Sequence, residues 1–196
     1  GREQSRDKTL LIIGGAGGVG SIAIQLAKKL AGLRVIATAS RPESAEWCRS
    51  LGADEIINHH HKFQEEFNKA GLSEVDYIFC LNSTEKHIQN MADVIKPQGR
   101  LCTIVEAKGG AGVNINLFQR KSVAFCWELM FTRSMFQTPD MQAQHDLLDE
   151  TASLIEASMA ETQAGDRKVA DVSAAIAAIT ESVGRVTGLV DEVSQA

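Results

Sequence analysis

Three glycines in the run Gly15-Ala16-Gly17-Gly18-Val19-Gly20 have the spacing G-x-G-x-x-G. That spacing suits one task, holding a pyrophosphate against bare backbone. The first glycine permits a sharp reversal, the second lets the pyrophosphate approach, and the third lets a helix pack closely on a strand. N–H groups left free at the helix start then hold the anion. The motif alone is weak, but its flanks fit. Leu10-Leu11-Ile12-Ile13 reads as a buried strand, and Ile22, Ile24, Leu26, Ala27 and Leu30 form an amphipathic run behind the glycines. Ser21 reads as the start of that helix rather than a nucleophile.

A second group lies at the end of the next apolar run, Arg34 to Ala39, about twenty residues past the glycines, where an acidic residue would bind an adenosine ribose 2′-OH. Here the chain has Ser40-Arg41, with Thr38 just before. A carboxylate would repel a 2′-phosphate, whereas a hydroxyl and a guanidinium would bind it. These residues favour NADPH over NADH. The alternative is that Arg41 sits on the solvated start of a helix beginning at Pro42.

Other chemistry-bearing residues form no legible constellation. In extended chain His59 and His61 share a face while His60 points away, which is short of the ligand set a zinc site needs, so no metal is expected. Cys48, Cys80, Cys102 and Cys126 lie far apart without a C-x-x-C pair. Apolar surroundings predict buried free thiols. His87 and His145, each alone in a helical stretch, are expected on the surface. Tyr77 lies inside an apolar strand, which argues against a catalytic phenol, and no Ser/His/Asp arrangement appears.

The elements that would position these residues alternate. Strands are expected at Leu10 to Ile13, Arg34 to Ala39, Glu55 to Asn58, Val75 to Cys80, Arg100 to Val105 and Ser122 to Trp127. Helices are expected after the glycines, at about Pro42 to Leu51, Phe63 to Lys69, and Glu85 to Ile95 with Pro97 as the stop. Lys108 to Gly112 reads as a loop. Strict alternation predicts an α/β fold, a doubly wound parallel sheet of the Rossmann type. From about Thr151 the pattern changes. Val169, Val172, Ile176, Ile179, Val183, Val186, Val190 and Val193 recur at spacings of three and four, as in a coiled-coil seam. The expected organisation is a leader over 1–7, an NADP(H)-binding domain over 8–150 and a helical, coiled-coil-like extension over 151–196.

Composition sets the outer limits. The chain has 196 residues, 44% of them hydrophobic, and a formal net charge of −5. Without a dense Lys/Arg cluster, a nucleic-acid or anionic-membrane surface is not expected. No apolar run has the length of a membrane span, and the first residues are not a signal peptide, so a cytoplasmic location is expected.

Residues from about Lys8 to Glu150 resemble the coenzyme-binding domain of the medium-chain dehydrogenase/reductase superfamily. The branch is that of zinc-type alcohol dehydrogenase-like proteins and quinone oxidoreductases. The resemblance is carried by Leu11 through Ser21, Thr38-Ala39-Ser40-Arg41-Pro42, Leu51-Gly52-Ala53-Asp54, Lys96-Pro97-Gln98-Gly99-Arg100 and Trp127-Glu128-Leu129-Met130-Phe131. It implies that Ala16, Gly17, Gly18 and Val19 hold the pyrophosphate and that Ser40 and Arg41 hold the 2′-phosphate. It also implies that His59 contacts the adenosine end, and that Cys80, Leu81 and Asn82 lie along the nicotinamide ribose. Val105 and Glu106 would offer backbone groups to the carboxamide. The reaction implied is NADPH-dependent hydride transfer to a carbonyl or activated double bond of a small substrate. A GroES-like catalytic domain completes the site in that superfamily, so this chain alone is expected to be inactive. A dimer contact through the sixth strand is implied as well. Residues 151–196 resemble the cytoplasmic helical hairpin of bacterial chemoreceptors, which suggests a fusion or chimera. The competing reading is a non-catalytic nucleotide-binding module joined to an oligomerising coiled coil.

Overall fold

The computed structural model describes residues 7–107, 112–150 and 152–153. The expected coiled-coil seam therefore lies outside the described residues, as do most of the leader and residues 108–111 of the expected loop. The described chain falls into one unit ending at Leu129 and a second beginning at Met130.

In the first unit, the apolar runs become strands, and the central ones are covered on both faces. The strands are β1 (Thr9–Ile13), β2 (Arg34–Thr38), β3 (Glu55–Ile57), β4 (Val75–Cys80), β5 (Ile95–Thr103) and β6 (Ala124–Trp127). All neighbours pair in parallel, in the order β3-β2-β1-β4-β5-β6. The doubly wound sheet expected from the sequence is thus formed, with β1 at its centre. Leu11, Ile12 and Ile13 are each at most 1% exposed, as an unbroken hydrophobic run in a central parallel strand must be.

The helices are α1 (Gly18–Lys29), α2 (Pro42–Ser50), α3 (Phe63–Lys69) and α4 (Thr84–Val94). Alternate strand residues face opposite layers. Leu11, Ile13, Ile36, Ile78 and Leu101 pack with Phe63, Phe67, Met91 and Val94 from α3 and α4. Ile12, Val35 and Ala37 pack with Ile24, Ala27 and Cys48 from α1 and α2.

Two departures from the sequence expectation have local causes. The fourth helix ends at Val94, before Pro97, and the chain is already strand at Ile95. A register irregularity lets Val75 pair with Ile95 and Tyr77 with Arg100, which loops the exposed Pro97 and Gln98 away from the ladder. Before β6 lies a 3-10 segment, Ile115–Lys121, which the sequence did not announce. Its Lys121 ammonium donates to the carbonyls of Ala92, Asp93 and Ile95, closing the end of α4 with a cation.

The second unit contains α5 (Thr132–Phe136) and helical residues 141–150. Asp140 joins the two stretches, accepting from Arg133 Nε at 3.0 Å and Thr138 Oγ1 at 2.6 Å.

Candidate functional site

A parallel sheet brings every strand's carboxyl end to one edge, and β1 has β2 on one side and β4, which the chain reaches only after β3, on the other. The glycine run sits at that divergence. The reversal occurs at Gly14, whose φ is +90°, and not at Gly15 as expected. Gly15 is required for a different reason. A Cβ there would lie 2.8 Å from the Ala37 Cβ and 3.2 Å from the Cys48 sulfur. Gly20 behaves as expected, because a Cβ would run into the carbonyls of Gly14 and Gly15. Gly17 and Gly18 face open space, with only the Gly14 oxygen within 4 Å of a Cβ at Gly17 and nothing near one at Gly18.

The loop surface is thus Gly17, Gly18 and Val19, all exposed, with Ala16 half-buried beneath. The first helical bond in this turn runs from Ser21 N–H to the Gly17 carbonyl at 2.8 Å, so the N–H groups of Gly18, Val19 and Gly20 precede it. No acidic residue occupies the first turn of α1. An exposed, acid-free helix start with room for a ligand is suited to an anion.

Beside the loop, Thr38 is 2% exposed and its hydroxyl accepts the Gly14 N–H at 3.0 Å. It fixes the turn from below rather than reaching the surface. Ser40 and Arg41 are both exposed at the end of β2, with Arg41 Nη2 donating to Ser44 Oγ at 3.3 Å. Arg41 is also the residue preceding α2, and Glu43 lies in that helix's first turn. Trp47 Nε1 donates to Ser21 Oγ at 2.9 Å, tying α2 to the start of α1. That link, unforeseen from sequence, needed the crossing of two helices to be known.

Past β3, His59 is half-buried and its ring lies 4.4 Å from that of His60 and 6.2 Å from that of His87. His87 corrects the sequence reading. It is buried, stacked on Phe63 at 5.6 Å, because it falls on the inner face of α4. Burial lowers both pKa values, with His60 adding to the effect on His59 and His59 to that on His87. His61 is turned away, with Nδ1 3.1 Å from Glu66 Oε1.

At the ends of β4 and β5 the expected residues separate. Asn82 and Glu106 are exposed, and Leu81 and Val105 are half-buried. Cys80 is not at the surface. It is fully buried, its thiol donates to the Asn82 carbonyl at 3.4 Å, and burial pushes its pKa up. Its side chain lies inside the turn. Below the same edge Thr84 and Thr103, both fully buried, share a hydroxyl hydrogen bond of 2.6 Å. Thr84 also donates to the Val105 carbonyl at 3.4 Å, so the start of α4 fixes the end of β5. Among the described residues no group of three or more His, Cys, Asp or Glu side chains could hold a metal ion.

The site's geometry agrees with the company the chain keeps. The family described as zinc-binding dehydrogenase matches residues 18–153. A zinc-type alcohol dehydrogenase-like protein of Staphylococcus aureus (strain MSSA476) is 43% identical over 153 residues, 78% of this chain and 45% of that protein. A crystal structure assigned to a zinc-dependent alcohol dehydrogenase of Rhizobium etli CFN 42 is 48% identical with a TM-score of 0.71, over 75% of this chain and 42% of that one. A mycobacterial protein crystallised with NADPH is 27% identical with a TM-score of 0.53, over 65% of this chain and 40% of that one. The chain thus spans less than half the length of these relatives. It belongs to the zinc-binding dehydrogenase family, within the medium-chain dehydrogenase/reductase superfamily, and what it carries is the coenzyme-binding domain of an oxidoreductase.

Proposed function

We propose that this chain binds NADP(H) for hydride transfer to a carbonyl or activated double bond of a small substrate. The observation that carries the reading is the open, acid-free start of α1 set beside Ser40 and Arg41 at the end of β2. In this reading the N–H groups of Gly18 and Val19 hold the pyrophosphate, and the Gly14 reversal presents them. Arg41, with Ser40, holds the 2′-phosphate, for which it must leave its contact with Ser44. His59 borders the adenosine end. Leu81 and Asn82 line the ribose next to the nicotinamide, and the Val105–Glu106 backbone meets the carboxamide. Thr38 and Cys80, buried beneath these turns, contribute by bracing them.

The nicotinamide, when bound, supplies the hydride; the protein's part is to orient it and keep competing water away. The developing oxyanion needs a donor, and the substrate needs a wall. In the proposal both come from a GroES-like domain of a longer chain. Because the described residues do not assemble a zinc site, no step here passes through a metal. The test is a titration of NADPH and NADH against the chain and its Arg41→Ala variant. NADPH affinity should fall about tenfold more than NADH affinity, equivalent to about 1.4 kcal/mol and consistent with one charge-assisted contact at an exposed site. Equal losses would remove Arg41 from the phosphate site, and no affinity for either cofactor would refute the whole reading.

A further inference from the structure

Cys102 and Cys126 are far apart in sequence but directly paired in register on the adjacent strands β5 and β6. Partners in a parallel ladder project to the same face, about 4.8 Å apart. The flanking residues identify that face. Leu101 and Phe125 belong to the α3/α4 layer, so Cys102 and Cys126 project to the opposite one. Cys102 is half-buried and Cys126 exposed. The Cys126 thiol donates to the Leu101 carbonyl at 3.4 Å, which holds it over the β5 backbone. Burial, and then the neighbouring Cys126 thiol, push the Cys102 pKa up to about 12.

We infer that Cys102 and Cys126 form a dithiol modification site that closes reversibly to a disulfide across β5 and β6. The Cα spacing of paired strands lies inside the disulfide range of about 4.4–6.8 Å, whereas the Cβ atoms must approach to about 3.5–4.5 Å. That approach requires a small movement of β6. Among the described residues β6 is an edge strand only four residues long, whereas β5 is held between β4 and β6, so β6 is the one of the pair that can yield. A bond closed against strand spacing is strained and therefore readily reduced. The chemistry balances with a low-molecular-weight disulfide as oxidant. The Cys126 thiolate attacks one of its sulfurs, forming a mixed disulfide and releasing one thiol. Cys102 then loses its proton and displaces the second thiol, leaving the internal disulfide. The two electrons end on the two small thiols. Cys48 and Cys80 are both fully buried, so the reagent reaches Cys126 first.

Oxidised glutathione, added to the reduced full chain and followed by alkylation and tryptic mapping, tests this. The expected product has lost two hydrogens and joins the peptides 101–108 and 122–133. Dithiothreitol should restore the separate peptides. Cys102→Ser should instead retain one glutathione on Cys126. Phenylarsine oxide, which bridges two neighbouring thiols, should label the reduced chain and fail on Cys126→Ser. A wild-type chain that keeps glutathione on Cys126 without the internal link would overturn the proposal. So would a link only between the Cys126 residues of two chains.

Discussion

Replacing Gly20 by Ala should destabilise the first unit, while the same change at Gly18 should not, although both glycines lie in the first turn of one helix. The contrast follows from what each new methyl group meets. At Gly20 the Cβ would fall on the turn's own backbone, with the Gly15 oxygen at 2.6 Å and its carbonyl carbon at 2.8 Å. These atoms cannot rotate aside as a side chain could, because Gly14 N–H is held by Thr38 and Gly17 N–H by the Gly14 oxygen at 3.2 Å. Overpacking of this kind costs about 1–3 kcal/mol, and backbone crowding places it at the upper end. Alanine returns about 1 kcal/mol of helix propensity, leaving a net loss of about 2 kcal/mol. At Gly18 nothing lies within 4 Å of the new methyl, so only the backbone-entropy gain of about 0.4–1 kcal/mol remains. Urea unfolding reports both variants through tryptophan fluorescence, since Trp47 bonds to Ser21 one residue beyond Gly20. A Gly20→Ala midpoint at or above wild type would refute the packing argument. Equal losses in both variants would show that the turn tolerates no substitution for some other reason.

Three further outcomes are expected. Gly17→Val should keep the fold, because only the Gly14 oxygen at 3.4 Å meets its Cβ, yet lose dinucleotide binding; a circular dichroism spectrum with an NADPH titration decides. Asp76 is pushed up by burial, but hydrogen bonds from Lys8, Thr9 and Lys96 outweigh this and hold its carboxyl well below the usual range; Glu66 is held at about 2 by Lys69, Asn58 and His61. With depressed native pKa values the unfolded chain binds protons first, so their stabilisation is complete above about pH 5 and lost as pH falls through about 4 toward 2, and Asp76→Asn should flatten urea midpoints measured across that window. Thr103→Val should cost about 1 kcal/mol by removing the 2.6 Å bond while the Thr84 hydroxyl keeps its donation to the Val105 carbonyl, and adding Thr84→Val should cost less than the sum of the two single changes, as a double-mutant cycle would record.

The parts of this molecule legible in its sequence are those set by local pattern. Unbroken apolar runs such as Leu11 to Ile13 and Val75 to Cys80 announce buried parallel strands. The helix Phe63–Lys69 and the strand Val75–Cys80 fall where periodicity puts them. Residue-level roles were less accessible wherever they depend on a partner distant in sequence. Gly14, rather than Gly15, makes the reversal because Gly15 is needed for closeness to Ala37 and Cys48, which only the packing of α2 reveals. His87 looked like a surface residue because its helix face could not be assigned before α3 brought Phe63 against it. Cys126 was expected to be buried like Cys48 and Cys80, but it lies on the exposed side of an edge strand. The Thr84–Thr103 bond has no signal in either segment.

The fastening of the sheet and the proposed binding site lie at opposite edges. At the amino-terminal edge, Asp76 at the start of β4 accepts from Lys8 at 2.9 Å, from Thr9 N–H and hydroxyl at 2.9 Å, and from Lys96 at 3.0 Å. One nearly buried carboxylate therefore fastens β1, β4 and β5 together. Breaking it would leave polar groups without partners in a protected place, which is a large perturbation of the fold. At the carboxyl-terminal edge β1 ends in the glycine turn and the start of α1, with open space at Gly17 and Gly18. Substitutions at Asp76 should therefore shift unfolding with little change in cofactor preference, and substitutions at Gly17 or Arg41 should do the reverse. An Asp76 variant that reversed the NADPH-to-NADH preference would mean that the two edges are coupled through β1.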